Sequence, residues 1–420
     1  MRAPDGGTRT RAAVRPALSQ PEFIALCAML TATVAFSIDG MLPALPQIAA
    51  ELTPDAPNRA QLILTSFVLG MGLGTFFTGP LSDALGRKPV VVGGAAVYIA
   101  GAALAWAAPS LETMLAARVL QGLGAAGPRV VAMALIRDLY SGPRMAQILS
   151  FVLMVFSLVP ALAPTLGAAI MALTGWRGIF AAFLVFSAVS VTWLALRQPE
   201  TLPPERRRPL RAADLARALA EVWGHSTTRL STLVQTLVFG MLFVTLSSTQ
   251  QVFDVTFGRG EHFHLWFGGI ALVAASASLL NARLVIRLGM RAIVRTMLAV
   301  QIAISALVAL AFLANLPAGP AFALYVFWVT SLFFMTGLTV GNLNALALEP
   351  MAHVAGLAAS VVASLSTVGS LVLAVPVGLM FDGTPVPMAL AIAAYGVLAF
   401  ALTLRIRRPG EVDTPAQSRT

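Results

Sequence analysis

Between Arg295 and Glu349 the chain carries no charged residue at all. A helix needs roughly 20 mostly apolar residues to cross the hydrocarbon core of a bilayer. This stretch is therefore too long for one crossing and too apolar to face water. Asn315-Leu-Pro-Ala-Gly-Pro320 interrupts it, and clusters of Pro and Gly mark turns, so one span is expected on each side. The same arithmetic along the 420 residues gives spans near 23–42, 61–81, 90–108, 113–136, 146–172 and 178–196. After a gap come 230–252, 265–286, 292–314, 320–346, 355–380 and 386–405. The first stretch is longer than the apolar core of a cleaved signal peptide, so it is kept as the first span. The fold class expected is an all-α polytopic membrane protein of twelve transmembrane helices.

Composition agrees. Only 11% of residues are charged and 58% are hydrophobic, whereas a soluble domain carries about 25% charge. The net charge of +10 does not form a phosphate-binding face, because the basic residues stand in short clusters between apolar runs. No nucleic-acid partner is expected. Cys27 is the single cysteine, which excludes an intramolecular disulfide. His225, His262, His264 and His353 fall in loops or at helix ends without a metal-ligand spacing. No metal, no cofactor and no enzymatic activity are expected. A membrane sensor would carry a soluble domain, and the longest polar segment is only 197–229.

An even number of spans puts both termini on one side. Nearly all of the 28 Lys and Arg residues fall in segments on that side, while the other carries Arg59, Arg177 and Arg259. The positive-inside rule then places both termini in the cytoplasm, with the chain in the cell inner membrane. Five parts are expected: a tail at 1–21, a six-helix bundle at 22–196, a cytoplasmic loop at 197–229, a second bundle at 230–406 and a tail at 407–420. Paired six-helix halves suit a transporter repeat. A faint echo supports duplication: Ala84-Leu-Gly-Arg87 follows the second span and Arg287-Leu-Gly-Met290 the eighth.

Four groups of residues carry chemistry. Gly79-Pro-Leu-Ser-Asp-Ala-Leu-Gly-Arg-Lys-Pro89 joins spans two and three. Gly86 allows a tight reversal there, and Asp83, Arg87 and Lys88 are opposite charges able to lock neighbouring helix ends. Asp39 lies late in the first span and Arg118 in the outer part of the fourth, at similar depth. Ionisable residues inside a span usually pair or line an aqueous path. Desolvation favours the protonated acid and a nearby Arg favours the carboxylate, which makes Asp39 a candidate carrier of a coupling proton. The plainer alternative has Asp39 capping the outer helix end in water and Arg118 snorkelling to the interface.

Arg118, Gly122, Ala125 and Arg129 share one helix stripe, which suits close packing or a cavity wall; Arg129 is also explained by snorkelling at the cytoplasmic end. Pro160, Pro164 and Gly167 mark the fifth span, where Pro removes helical donors and Gly permits close packing. Candidate cavity-lining residues are Gln121, Gly122, Arg129, Gln235, Thr249, Asn342 and Asn344. The polar groups of the second half, including Ser247-Ser-Thr-Gln-Gln251, serve equally well as inter-helix hydrogen bonds.

These strings resemble a known family. The 79–88 segment is similar to the major facilitator loop G-x-L-(S/A)-D-R-x-G-R-(K/R), matched by Gly79, Leu81, Asp83, Gly86, Arg87 and Lys88, with Ala84 where the family usually has Arg. Arg118-Val-Leu-Gln-Gly-Leu-Gly-Ala-Ala-Gly127 resembles the helix-four pattern. Pro164-Thr-Leu-Gly-Ala168 resembles the antiporter motif of the Bcr/CflA drug:proton antiporters, as do Asp39-Gly-Met-Leu-Pro-Ala-Leu-Pro46, Ile136-Arg-Asp-Leu-Tyr140, Asn281-Ala-Arg-Leu-Val285 and Ala355-Gly-Leu-Ala-Ala-Ser360. The resemblance implies two six-helix bundles around a central cavity. It implies multidrug efflux of amphipathic small molecules against protons, by a monomer. Asp39 and Arg118 would couple protons, and Asp83, Arg87 and Asp138 would form a cytoplasmic gate. An exporter or importer of one metabolite, such as a sugar, amino acid or siderophore, is the rival expectation.

Overall fold

The computed structural model describes residues 18–406. Almost all of the expected N-terminal tail and the whole tail at 407–420 lie outside them. The described chain is helical: α1 Gln20–Asp39, α2 Leu45–Leu52, α3 Leu62–Leu85, α4 Arg87–Trp106, α5 Leu111–Leu139, α6 Gly142–Arg197, α7 Ala212–Gly224, α8 Ser226–Gln251, α9 Phe263–Leu288, α10 Met290–Leu313, α11 Ala318–Leu348, α12 Ala355–Leu379 and α13 Val386–Leu404.

One of these helices, α6, crosses twice. The 56 residues of α6 would extend roughly 84 Å if straight, against a hydrocarbon core of about 30 Å. The helix instead breaks at Gly175, where φ is 71°, and its two arms make spans five and six. Between α11 and α12 the chain turns through Glu349–Val354. Counted this way, the apolar helices make twelve spans. Their outer surface is apolar, with Leu173 and Ile286 each 86% exposed, as lipid contact requires.

Local chemistry sets the ends. Ser19 caps α1 by accepting from the Glu22 N–H, and Ser110 caps α5 by accepting from the Thr113 N–H. The two Leu-Gly turns take one shape in both halves. Gly86 alone separates α3 from α4 (φ 107°), and Gly289 alone separates α9 from α10 (φ 78°). Those dihedrals admit glycine readily and other residues only under strain.

In the first half α5 packs on α3 and α4, and α1 on α6. In the second, α8 packs on α11, α12 and α13, and α10 on α11 and α13. The halves meet along α3–α12 and α6–α9. The short helix α2 and the helix α7 were not expected. The face Leu215, Ala218, Val222 of α7 is buried on the connection between α11 and α12, around Met351 and Ala358. Glu221 pairs there with His353 at 2.5 Å.

Candidate functional site

At the Arg-rich face the end of α3, the start of α4 and the end of α5 converge. Arg87 Nη1 donates to Asp83 at 2.5 Å and to Ser82 Oγ at 2.8 Å, while its Nε donates to Asp138 at 2.9 Å. The structure thus joins Asp138 to the Asp83–Arg87 pair, 51 residues away in sequence from Arg87. The segment after α6 completes the group. Glu200 accepts from the backbone N–H groups of Arg87 and Lys88 at 2.9 and 3.0 Å, so a carboxylate caps the N-terminus of α4. Thr201 donates to Asp138 at 2.9 Å, and the Arg208 N–H donates to the Asp83 carbonyl. A Cβ on Gly86 would meet the Glu200 carboxylate. Where the family's loop usually has an Arg, Ala84 stands; Arg206 and Arg208 border a small cavity together with Asp83 and Arg87.

Arg118 is wholly buried and fully engaged. Its Nε donates to Ile63 O at 3.2 Å, Nη1 to Gln121 Oε1 at 2.7 Å and Nη2 to Ser37 O at 3.0 Å. The guanidinium carbon lies 4.4 Å from the Phe67 ring centroid. One side chain therefore ties α1, α3 and α5 together.

Asp39, the last residue of α1, is buried and has no hydrogen-bond or ion-pair partner among the described residues. The expected proximity of Asp39 to the Arg118 guanidinium is not realised as a pair in this conformation. Helix phase explains why: residues two apart face different sides, and Arg118 reaches the carbonyl of Ser37, not the side chain of Asp39. Beside it, a Cβ on Gly167 of α6 would overlap the Gly40 carbonyl oxygen. Gly167 thus lets the fifth span approach the end of the first. Pro164 is buried nearby on the same helix, and Pro160 is half-buried.

A cavity of about 350 Å³ opens at the Arg-rich face, walled by α3, α5, α6 and α12. Asp83, Arg87, Gly79 and Arg129 line it. At the opposite face hydrogen bonds tie the halves together, beside a smaller cavity of about 210 Å³ that Gln61 and Gln251 border. Gln61 donates to Gln251 at 2.7 Å and to Gly378 O at 3.0 Å, and accepts from Ser248 at 3.1 Å. Asn58 accepts from Gln251 at 2.6 Å and donates to Phe381 O at 2.8 Å.

Of the candidate lining residues, only Arg129 borders this cavity. Gly122 is packing: a Cβ there would overlap Phe67 O. Gln121 holds Arg118, Thr249 donates back to Thr245 O, and Asn342 donates to Asn281 on α9 at 2.8 Å. Gln235 is buried on α8, and Asn344 is half-buried on α11. Sequence reasoning missed Glu200, Asn58 and Gln61. The one signal was the placement of Gln61 and Ser247–Gln251 at matching span ends, which depth alone could have paired.

Residues 24–374 match the family model described as Major Facilitator Superfamily. A bicyclomycin resistance protein homolog of Haemophilus influenzae is 29% identical over 383 residues, covering 90% of this chain and 94% of that protein. Multidrug resistance protein MdtL of Salmonella schwarzengrund is 31% identical over 229 residues, 54% of this chain and 57% of MdtL. Among solved structures, the xylose transporter XylE of E. coli, partially occluded and inward open, matches with a TM-score of 0.73 over 94% of this chain and 99% of its own. At 12% identity that likeness speaks for the fold alone.

Proposed function

Because this chain belongs to the Major Facilitator Superfamily, we propose that it exports drugs or other amphipathic small molecules in exchange for protons, by alternating access. The observation that carries the reading is the unequal state of its two ends. A partly apolar cavity of about 350 Å³ is open at the Arg-rich face, while at the other a smaller one of about 210 Å³ lies beside hydrogen bonds that tie the halves together. The positive-inside rule makes the Arg-rich face cytoplasmic, so this conformation would load cargo from the inner side of the inner membrane.

Rocking of one half against the other would break the outer seal and close the cavity. Asp39 would take a proton when the outer end opens and release it on the return. It suits the task as a buried acid without a fixed counter-charge, beside the α1–α6 contact at Gly40 and Gly167. Arg118 would act through the backbone of Ser37, holding the end of α1 in place. The Asp83–Arg87–Asp138 group would brace the cytoplasmic end of the first half during closure. The drug-resistance names of relatives at 29% and 31% identity favour drugs over a single metabolite as cargo.

The test is proton flux in proteoliposomes of the purified protein, with a panel of hydrophobic antibiotics and, separately, of sugars and amino acids. Antibiotic-dependent proton movement across an imposed pH gradient is expected. Proton-independent transport, or movement of a sugar alone, would overturn the proposal.

A further inference from the structure

Arg129 is a charged group that the export cycle leaves without a task. It stands on α5 in the wall of the 350 Å³ cavity, and its one partner among the described residues is Met71 Sδ at 3.7 Å. A thioether is a weak acceptor. The neighbouring polar groups are already engaged. Asp83 and Ser82 accept from Arg87, and the hydroxyls of Thr31 and Thr75 donate to carbonyls of their own helices. Arg137, about two turns nearer the mouth on the same helix, is exposed, borders the same cavity and has no ion-pair partner among the described residues. Much of the remaining wall is apolar, with Met133, Val152, Leu153, Phe156 and Leu357.

Arg129 is half-buried, and a guanidinium that stands in a largely apolar wall without a counter-charge is incompletely solvated, which is costly. Snorkelling relieves that cost only near an interface, and Arg129 lies deeper than Arg137. Its planar fork matches two oxygens of one acid group. A positive mouth raises the local concentration of anions.

We infer that this cavity takes an amphipathic organic acid, its carboxylate or sulfonate on Arg129 and its apolar body on the α5–α6–α12 wall. The inference rests on the transport reading for treating this cavity as the cargo path, and it names the cargo's chemical class. The same oxyanion chemistry could come from a soluble acid or from a lipid headgroup; the geometry of an inward-opening pocket favours the soluble acid.

The experiment is fluorescence binding of 1-pyrenebutyrate and of its methyl ester to the full chain in nanodiscs of phosphatidylcholine. The wild type should prefer the acid by about tenfold or more, the factor one charge-assisted hydrogen bond carries. Arg129→Gln should collapse that preference and Arg129→Lys should restore part of it. A wild type that binds acid and ester equally, or an Arg129→Gln variant that weakens both alike, would overturn the assignment. So would loss of acid binding when phosphatidylglycerol is added to the disc, which would hand the site to lipid. Efflux of both probes from loaded cells is measured in parallel. Acid-selective, Arg129-dependent binding without efflux would uphold the cavity's chemistry and remove the export reading; equal efflux of acid and ester would do the reverse.

Discussion

The two ends of this molecule are fastened by different chemistry. At the Arg-rich face the strong bonds are charged and stay on one side of the divide: Arg87 with Asp83 and Asp138, and Glu200 on the first turn of α4. At the opposite face the bonds that join the halves are neutral, made by Asn58, Gln61, Ser248 and Gln251. Charged pairs at that face, Arg59–Glu112 and Arg177–Glu51, lie within the first half. A rocking carrier has to break whatever crosses between its halves on every cycle. Neutral hydrogen bonds contribute only about 0.5–1.5 kcal/mol each, so a seal built from them opens readily. Charged groups brace the rigid part, where nothing needs to part.

The largest test of this division is Asp39→Asn. If the end of α1 beside the neutral seal carries the proton, the variant should lose pH-gradient-driven export entirely while still reaching the membrane and binding cargo. Expression and drug resistance of a strain carrying it measure this; wild-type resistance would remove Asp39 from the mechanism. Next comes Arg87→Gln, which leaves Asp83 and Asp138 facing each other without their cation. Breaking a buried pair costs roughly 3–5 kcal/mol. A loss near about 3 kcal/mol is expected, since Asp83 is 47% exposed and partly screened by water. Thermal unfolding in detergent should show it as a clear fall in Tm, and an unchanged Tm would mean that the brace is ornamental.

Sequence made some of this legible and not the rest, for reasons of geometry. Span length and hydropathy fix where the chain crosses, so the twelve crossings were readable, including the turn at Asn315–Pro320 and the matched turns at Gly86 and Gly289. Depth also follows from counting residues. Helix phase and neighbour do not. Asp39 and Arg118 share a depth, yet the guanidinium meets the Ser37 carbonyl because Ser37 and Asp39 face different ways on α1. Gln121, Thr249 and Asn342 read as cavity polar groups; instead Gln121 holds the Arg118 side chain, Thr249 bonds its own helix, and Asn342 ties α11 to α9. Glu200 was invisible because a cap on α4 from the chain beyond α6 leaves no local spacing. The seal pairs Gln61 with Gln251, residues at matching depth whose contact depends on how the two halves meet. In α7 the spacing of Leu215, Ala218 and Val222 was a usable 3.6-residue signal within a segment read as loop.

Gln61→Ala sharpens the comparison from the other end. It deletes the bonds to Gln251, Gly378 and Ser248 together, a change of about 2 kcal/mol at roughly 1 kcal/mol or less each. That shifts the ratio of sealed to open outer ends by roughly thirtyfold. Spin labels at the exposed positions Asp55 and Asp382 should report a new, longer distance. Because the seal is neutral, raising the salt concentration should leave the wild-type distance unchanged; a salt-dependent opening would break the distinction drawn between the two ends.

The smallest effect is expected from Glu200→Gln. The substitution keeps the shape of the side chain and one acceptor oxygen, and removes the charge from the N-terminus of α4. An anion at that position stabilises a helix by about 0.3–1 kcal/mol, and one of the two backbone donors, of Arg87 or Lys88, loses its partner. A decrease in stability near about 1 kcal/mol should follow, and it should shrink at high salt, since the helix-end interaction is screened. The salt dependence is the informative part. A cap that acts by charge belongs with Arg87, Asp83 and Asp138, as part of the brace. A loss of the same size at every salt concentration would make Glu200 a plain hydrogen-bonding tie, and the Arg-rich end would then be fastened partly by the same neutral means as its counterpart.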